Sequence, residues 1–121
     1  MIALFTSCQQ SRQERLKKEA EQTSLMCPIQ IDKETTLDSM AYHESDNTLY
    51  YYYALSGTLD DSKKISEVKD KVIKSQLETV KNSVELRKYK EWGLSFCYVY
   101  YSKTSHDLLL NMKFTKEQYG D

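Results

Sequence analysis

The run Leu49-Tyr50-Tyr51-Tyr52-Tyr53-Ala54-Leu55 limits this chain more than any other stretch. Aromatic residues suit a pleated, half-buried surface, so the run predicts a strand, Thr48 to Leu55. Period two puts Leu49, Tyr51, Tyr53 and Leu55 on one face and Tyr50, Tyr52 and Ala54 on the other. The first set, closed by Leu at both ends, is expected to face the core. A turn composition, Glu44-Ser45-Asp46-Asn47, precedes the run. Before the turn, Glu34 to His43 reads as a strand, with Leu37, Ser39 and Ala41 on one face and Met40 and Tyr42 on the other. The two strands form a hairpin.

A second pair follows. Leu94 to Tyr101 alternates, with Leu94, Phe96, Tyr98 and Tyr100 on one side and Ser95, Cys97, Val99 and Tyr101 on the other. After the turn Ser102-Lys103-Thr104-Ser105, Asp107 to Thr115 alternates too. Leu108, Leu110, Met112 and Phe114 point one way; Asp107, Leu109, Asn111 and Lys113 point the other. Such alternation marks a sheet with one packed face and one wet face. Between the pairs, Ile65, Val68, Val72, Gln76 or Leu77, Val80 and Val84 recur at three and four. They predict an amphipathic helix to about Leu86, capped by Asp60, Asp61 or Ser62. Arg87 to Glu91 reads as a polar connection and Lys116 to Asp121 as a fraying tail. Leu16, Ala20, Thr23 and Cys27 fall at helical spacing, a weak N-terminal helix or a polar tether. Pro28 ends it, and Ile29 to Asp32 is an extended lead-in. The expected fold is α+β and two-layered. It has an antiparallel sheet of about four strands, ββαββ, with the long helix across one face.

Composition narrows the function classes. At 121 residues the chain is one domain at most. Lys and Arg number 17 against 18 Asp and Glu, so no global basic field exists to hold nucleic acid. Only 3 Gly and 1 Pro are present, which argues against Gly-rich phosphate loops. No nucleophile elbow, P-loop or zinc motif occurs. No stretch reaches the roughly 20 apolar residues of a membrane span.

The start is more informative. Met1-Ile2-Ala3-Leu4-Phe5-Thr6-Ser7-Cys8 is apolar, ends in small residues and a cysteine, and gives way at once to polar Gln9-Gln10-Ser11-Arg12. Leu4-Phe5-Thr6-Ser7-Cys8 resembles the lipobox of bacterial lipoproteins. The resemblance covers these residues alone and implies lipidation at Cys8, a membrane anchor and a periplasmic or outer-surface location. It departs from the pattern at Phe5, where Leu, Val or Ile is commoner, and in lacking the basic segment and full apolar run of a signal peptide. The expectation is that both are encoded upstream of Met1. On this reading residues 1–8 are a signal remnant, 9–27 a tether or short helix and 28–121 the domain. The alternative is a cytoplasmic protein whose apolar start tucks into the core. Pro28-Ile29-Gln30-Ile31-Asp32 with Thr35-Thr36-Leu37-Asp38-Ser39 also resembles the opening of small exported bacterial proteins that carry later Tyr-rich strands; that resemblance implies no activity.

Of the 3 cysteines, Cys8 would carry lipid, leaving Cys27 and Cys97. They read either as an oxidised pair in an exported protein or as two buried thiols, and burial is the commoner state of cysteine. Tyr50, Tyr52, Tyr98, Tyr100 and Tyr101 are the candidates for a surface that meets a protein, peptide or glycan. Their alternative role is cross-strand packing. His43, beside Glu44 and Asp46, and His106, beside Asp107, match no metal spacing and read as turn residues. Asp38, Ser39 and His43 suggest a triad, but Ser39 and His43 lie about 13 Å apart along a strand, too far for proton transfer. No metal and no cofactor is implied. The expected function is a lipid-anchored, non-enzymatic envelope module that binds a partner through its Tyr-rich face or an edge strand. The rivals are a small enzyme or ligand binder with a pocket between helix and sheet, and a self-associating structural protein.

Overall fold

The computed structural model describes the backbone of residues 2–120 and the side chains of residues 12–120. Five strands follow a first helix: α1 (Ile2–Leu25), β1 (Ile29–Asp32), β2 (Thr35–His43), β3 (Thr48–Leu55), α2 (Ser62–Asn82), α3 (Arg87–Glu91), β4 (Ser95–Ser102), β5 (Leu108–Phe114) and α4 (Lys116–Tyr119). They form one sheet in the order β1-β2-β3-β4-β5. The α+β two-layer class is as expected, and the extended lead-in is a fifth, edge strand paired with β2.

The sheet is mixed rather than wholly antiparallel. β3 and β4 pair in parallel, Leu49 opposite Phe96, Tyr51 opposite Tyr98 and Tyr53 opposite Tyr100. The length of α2 explains this. Its 21 residues span about 31 Å and carry the chain back past the length of the preceding strand. The next strand therefore starts at the same end as β3, which makes the pair parallel. The helix begins on Asp61, whose carboxylate accepts from the backbone N–H of Lys63 (2.9 Å) and Lys64 (3.2 Å). It stops at Asn82, short of Leu86, because Ser83 turns extended and its hydroxyl accepts from the Leu86 N–H instead. Lys90 Nζ donates to the last-turn carbonyls of Val80 and Lys81, at 2.8 and 2.9 Å. Val84 is consequently outside the helix and exposed.

The core lies between the helices and one sheet face. Phe96, Phe114, Leu94, Leu49, Leu110 and Met112 rise from the sheet to meet Ile65 and Val80 of α2 and Leu16 and Ala20 of α1. The stripe of α1 is thus a docking face: Leu16 and Ala20 are buried, Thr23 and Cys27 half-buried. Around it, Tyr89 Oη donates to Glu19 (2.6 Å), and the Arg12 guanidinium lies 4.6 Å from the Trp92 ring centre. Ser24 adds a second attachment. Its hydroxyl donates to the Met40 carbonyl (2.8 Å) and accepts from the Met40 N–H (2.9 Å), which closes the edge of β2 beyond the reach of β1. The C-terminal tail does not fray: Tyr119 is buried on Phe96 and its hydroxyl donates to the Leu94 carbonyl at 2.7 Å.

Two bulges break the expected alternation. Between Leu37 and Ser39 the register of β2 slips by one, so Asp38 is an extra residue. Leu37 therefore shares a face with Met40 and Tyr42, and Ser39 and Ala41 turn to the other side. In β5, Tyr100 faces Leu110 while Tyr101 faces Leu108, so Leu109 is extra. Leu108 is thereby carried away from Leu110, Met112 and Phe114 onto the opposite face.

Candidate functional site

The two faces of the sheet have different chemistry. The covered face holds a ladder of tyrosines: Tyr51 stacks on Tyr98 (4.9 Å between ring centres), and Tyr53 lies against both Tyr98 (6.5 Å) and Tyr100 (4.8 Å). Burial pushes the phenols of Tyr51, Tyr53, Tyr98 and Tyr100 well above their ordinary pKa. Tyr98 and Tyr100 therefore leave the candidate surface; their parity places them under the helices, where they do the cross-strand packing weighed as the alternative.

The other face carries no helix among the described residues. Tyr50, Tyr52 and Ala54 of β3 lie on it, with Ser39 and Ala41 of β2, Cys97, Val99 and Tyr101 of β4, and Asn111 and Lys113 of β5. At one end Tyr50 anchors a small polar cluster. Its ring sits 4.3 Å from that of His43 and 6.1 Å from that of Tyr52. Its hydroxyl donates to Asp46 at 2.7 Å, and that bond, with some burial, pushes the Tyr50 phenol up to about 12. Burial works against the Asp46 charge, but the Tyr50 hydroxyl and the Lys113 ammonium 3.5 Å away outweigh it and hold the carboxyl below its usual range. The bond to Asp46 fixes the Tyr50 hydroxyl at this end of the face.

At the other end the tyrosine alternation stops at Ala54, and the small side chain leaves a hollow. Ala54 sits between Thr36 on one side and Tyr101 on the other. The result is a groove of about 670 Å³ lined by Pro28, Gln30, Thr36, Asp38, Ala54, Tyr101, Lys103 and His106, among others. It runs over the sheet surface, not between helix and sheet. The β2 bulge borders it and leaves Asp38 in its lining, while the β5 bulge lies beyond Tyr101, where Leu108, 55% exposed, pairs with Tyr101 and lines a neighbouring hollow with Asp60 and Thr104. The turn after β4 folds over its end, with His106 in the left-handed region (φ 66°) and the Lys103 N–H held by the Leu55 carbonyl at 2.9 Å. Sequence reasoning passed over this groove. The signal was Ala54 interrupting the tyrosines.

The remaining candidates are dispersed. Cys27 and Cys97 are free thiols. Cys27 precedes β1 and donates to the Thr23 carbonyl (3.3 Å), while Cys97 lies mid-β4 and donates to Asn111 Oδ1 (3.1 Å). Three strand spacings, about 14 Å, separate β1 from β4, against the roughly 7 Å that a disulfide spans between Cα atoms. Burial pushes both thiols up, away from the reactive thiolate. His43 and His106 stand at opposite ends of the open face, and no three potential metal ligands converge among the described residues. The side chain of Cys8, the lipidation candidate, lies outside the described residues. No helix among the described residues is long and apolar enough to cross a membrane.

Solved structures of other bacterial proteins share this fold. A Pseudomonas aeruginosa protein inferred to be secreted shares it with a TM-score of 0.76 at 14% identity, over 88% of this chain and 91% of that one. The type 2 secretion system pilotin EpsS of Vibrio vulnificus matches at 0.68 and 9% identity, over 93% and 94% of the two chains. The type II secretion system pilotin AspS of Vibrio cholerae matches at 0.66 and 14%, over 94% and 97%. By sequence, residues 10–110 match the profile of a family described as a domain of unknown function, DUF8479, and the chain belongs to that family. No curated protein matches it.

Proposed function

We propose that this protein is a lipid-anchored envelope component that works as pilotins do, a non-enzymatic assembly module that binds another protein of the cell envelope. The observation that carries the reading is the fold, shared with two secretion-system pilotins over nine-tenths of both chains. The lipobox-like Leu4-Phe5-Thr6-Ser7-Cys8 supports it independently, because a lipidated Cys8 would anchor the chain near the start of α1. The bare sheet face supplies the binding surface, with Tyr50, Tyr52 and Tyr101 on it. An enzyme with a pocket between helix and sheet fits less well: that interface is filled by the tyrosine ladder and the buried core.

The test is mass spectrometry of the full gene product from its native host, with membrane fractionation. A diacylated Cys8 in the membrane fraction, released by Cys8→Ser, is the expected result. An unmodified Cys8 in a cytoplasmic protein would overturn the reading.

A further inference from the structure

We propose that the groove over Ala54 receives a short extended segment of a partner protein, with an apolar side chain between an acidic residue seated at Lys103 and a basic residue seated at Asp38. This rests on the reading of the chain as a binding module and names where, and by what chemistry, the partner docks.

Three observations carry it. First, the groove is apolar in the middle and charged at its ends. Pro28, Ala54 and Tyr101 make a stripe across the sheet that the exposed Leu108 extends, while Asp38 stands on one side and Lys103 and His106 on the other. Second, those three charged or ionisable side chains make no hydrogen bond or ion pair with the rest of the described residues, whereas their polar neighbours are already engaged. Thr36 Oγ1 donates to Gln30 Oε1, and Gln30 Nε2 donates to the carbonyls of Asp32 and Thr35. The groove thus offers one anion and a cationic end to a ligand, and little else polar. Third, the fold departs from regular pairing where it supplies the acidic end of the groove. The bulge at Asp38 makes it an extra residue in β2 whose carboxylate lines the groove, and bulges serve to re-aim side chains next to sites.

Strand geometry sets the spacing. Asp38 and Lys103 are two strands apart, about 10 Å, and three to four residues apart along the strands, so their backbones are roughly 15 Å from each other. That is the reach of about four to five extended residues. A compact metabolite would not touch both ends; an extended peptide would, with its central side chain over Ala54.

The probe is an array of octapeptides with a central Leu or Phe and one acidic and one basic residue placed two to seven positions apart, in both orders. The full chain is expected to favour one order at a spacing of four or five. Ala54→Phe, which continues the aromatic alternation of β3, is expected to weaken binding about tenfold or more. Lys103→Glu, an exposed change that keeps the fold if Ala54→Phe does not, is expected to abolish the preference. Asp38→Lys combined with Lys103→Glu is expected to reverse the preferred order. Binding indifferent to charge order and spacing, or unchanged in folded Ala54→Phe, would overturn the proposal. So would self-association in sedimentation runs that Ala54→Phe removes, because the occupant would then be a second copy. Loss of the proposal would leave Cys8 lipidation and membrane fractionation untouched, so the two readings fail separately.

Discussion

Glu34 shows how much one surface side chain can organise. Its carboxylate accepts from Thr58 Oγ1 (2.7 and 2.9 Å) and from the Leu59 N–H (3.2 Å), which fastens the turn between β3 and α2. The Thr58 hydroxyl first, then the Leu59 amide, hold its pKa below the usual carboxylate range. The unfolded chain therefore binds the extra proton first as pH falls. The stabilisation is complete above the unfolded pKa of about 4.3 and lost as pH drops through the lower folded value. Glu34→Gln is expected to lower Tm at about pH 7 and to lose that difference at about pH 3, read by thermal scans. Gly57 meets the same carboxylate. It has φ 63°, and an added Cβ would run into Glu34 Oε2. Gly57→Ala is expected to cost about 1 kcal/mol or more in urea unfolding. The buried tyrosines carry the opposite pH sign. Burial raises the phenols of Tyr51, Tyr53 and Tyr98, so the unfolded state deprotonates first, above about pH 10. Stability falls from there upward, and in an alkaline titration these rings are expected to gain tyrosinate absorbance together with the loss of far-UV CD.

Among the elements, α1 is where sequence pattern and structure differ most in emphasis. Its polar composition allows a tether, yet Leu16 and Ala20 are almost wholly buried against the sheet. Leu16→Ala is expected to destabilise the protein by about 2–5 kcal/mol in denaturant unfolding. A change under about 1 kcal/mol would mean that the helix is not held there. Tyr119→Phe tests the other end; with Leu94 O left without its donor, a loss of about 1–3 kcal/mol is expected. The strands themselves were legible, because Leu49 to Leu55 and Phe96 to Tyr100 obey period two without interruption. What period two could not reveal is a residue that breaks it. Asp38 and Leu109 each shift the count by one, so the faces of Leu37 and Leu108 came out reversed. The parallel β3–β4 pair was hidden for another reason: alternation reports which face a residue takes and is silent on strand direction. The tail was misread because burial of Tyr119 depends on a tertiary partner, Phe96, that local composition does not contain.

The whole molecule is a sheet with unequal sides. Among the described residues the helices pack on one face, and that face absorbs Tyr51, Tyr53, Tyr98 and Tyr100. What remains outside is a smaller aromatic set, Tyr50, Tyr52 and Tyr101, and a groove where Ala54 replaces a ring. The candidate surface was therefore half legible: the strand and the face of Tyr50 and Tyr52 followed from pattern, whereas the groove needed the bulge at Asp38 and the cross-strand register. In the proposed function this bare face, on a protein held at the membrane by Cys8, meets another envelope protein. Photocrosslinking in the native host tests it most directly, with benzoylphenylalanine placed at Tyr52 on the bare face or at Lys71 on the exposed side of α2. A discrete crosslinked species from position 52, absent from position 71 and lost with Cys8→Ser, is the predicted result. Equal crosslinking from both positions, or crosslinking from 52 that persists without Cys8, would contradict it.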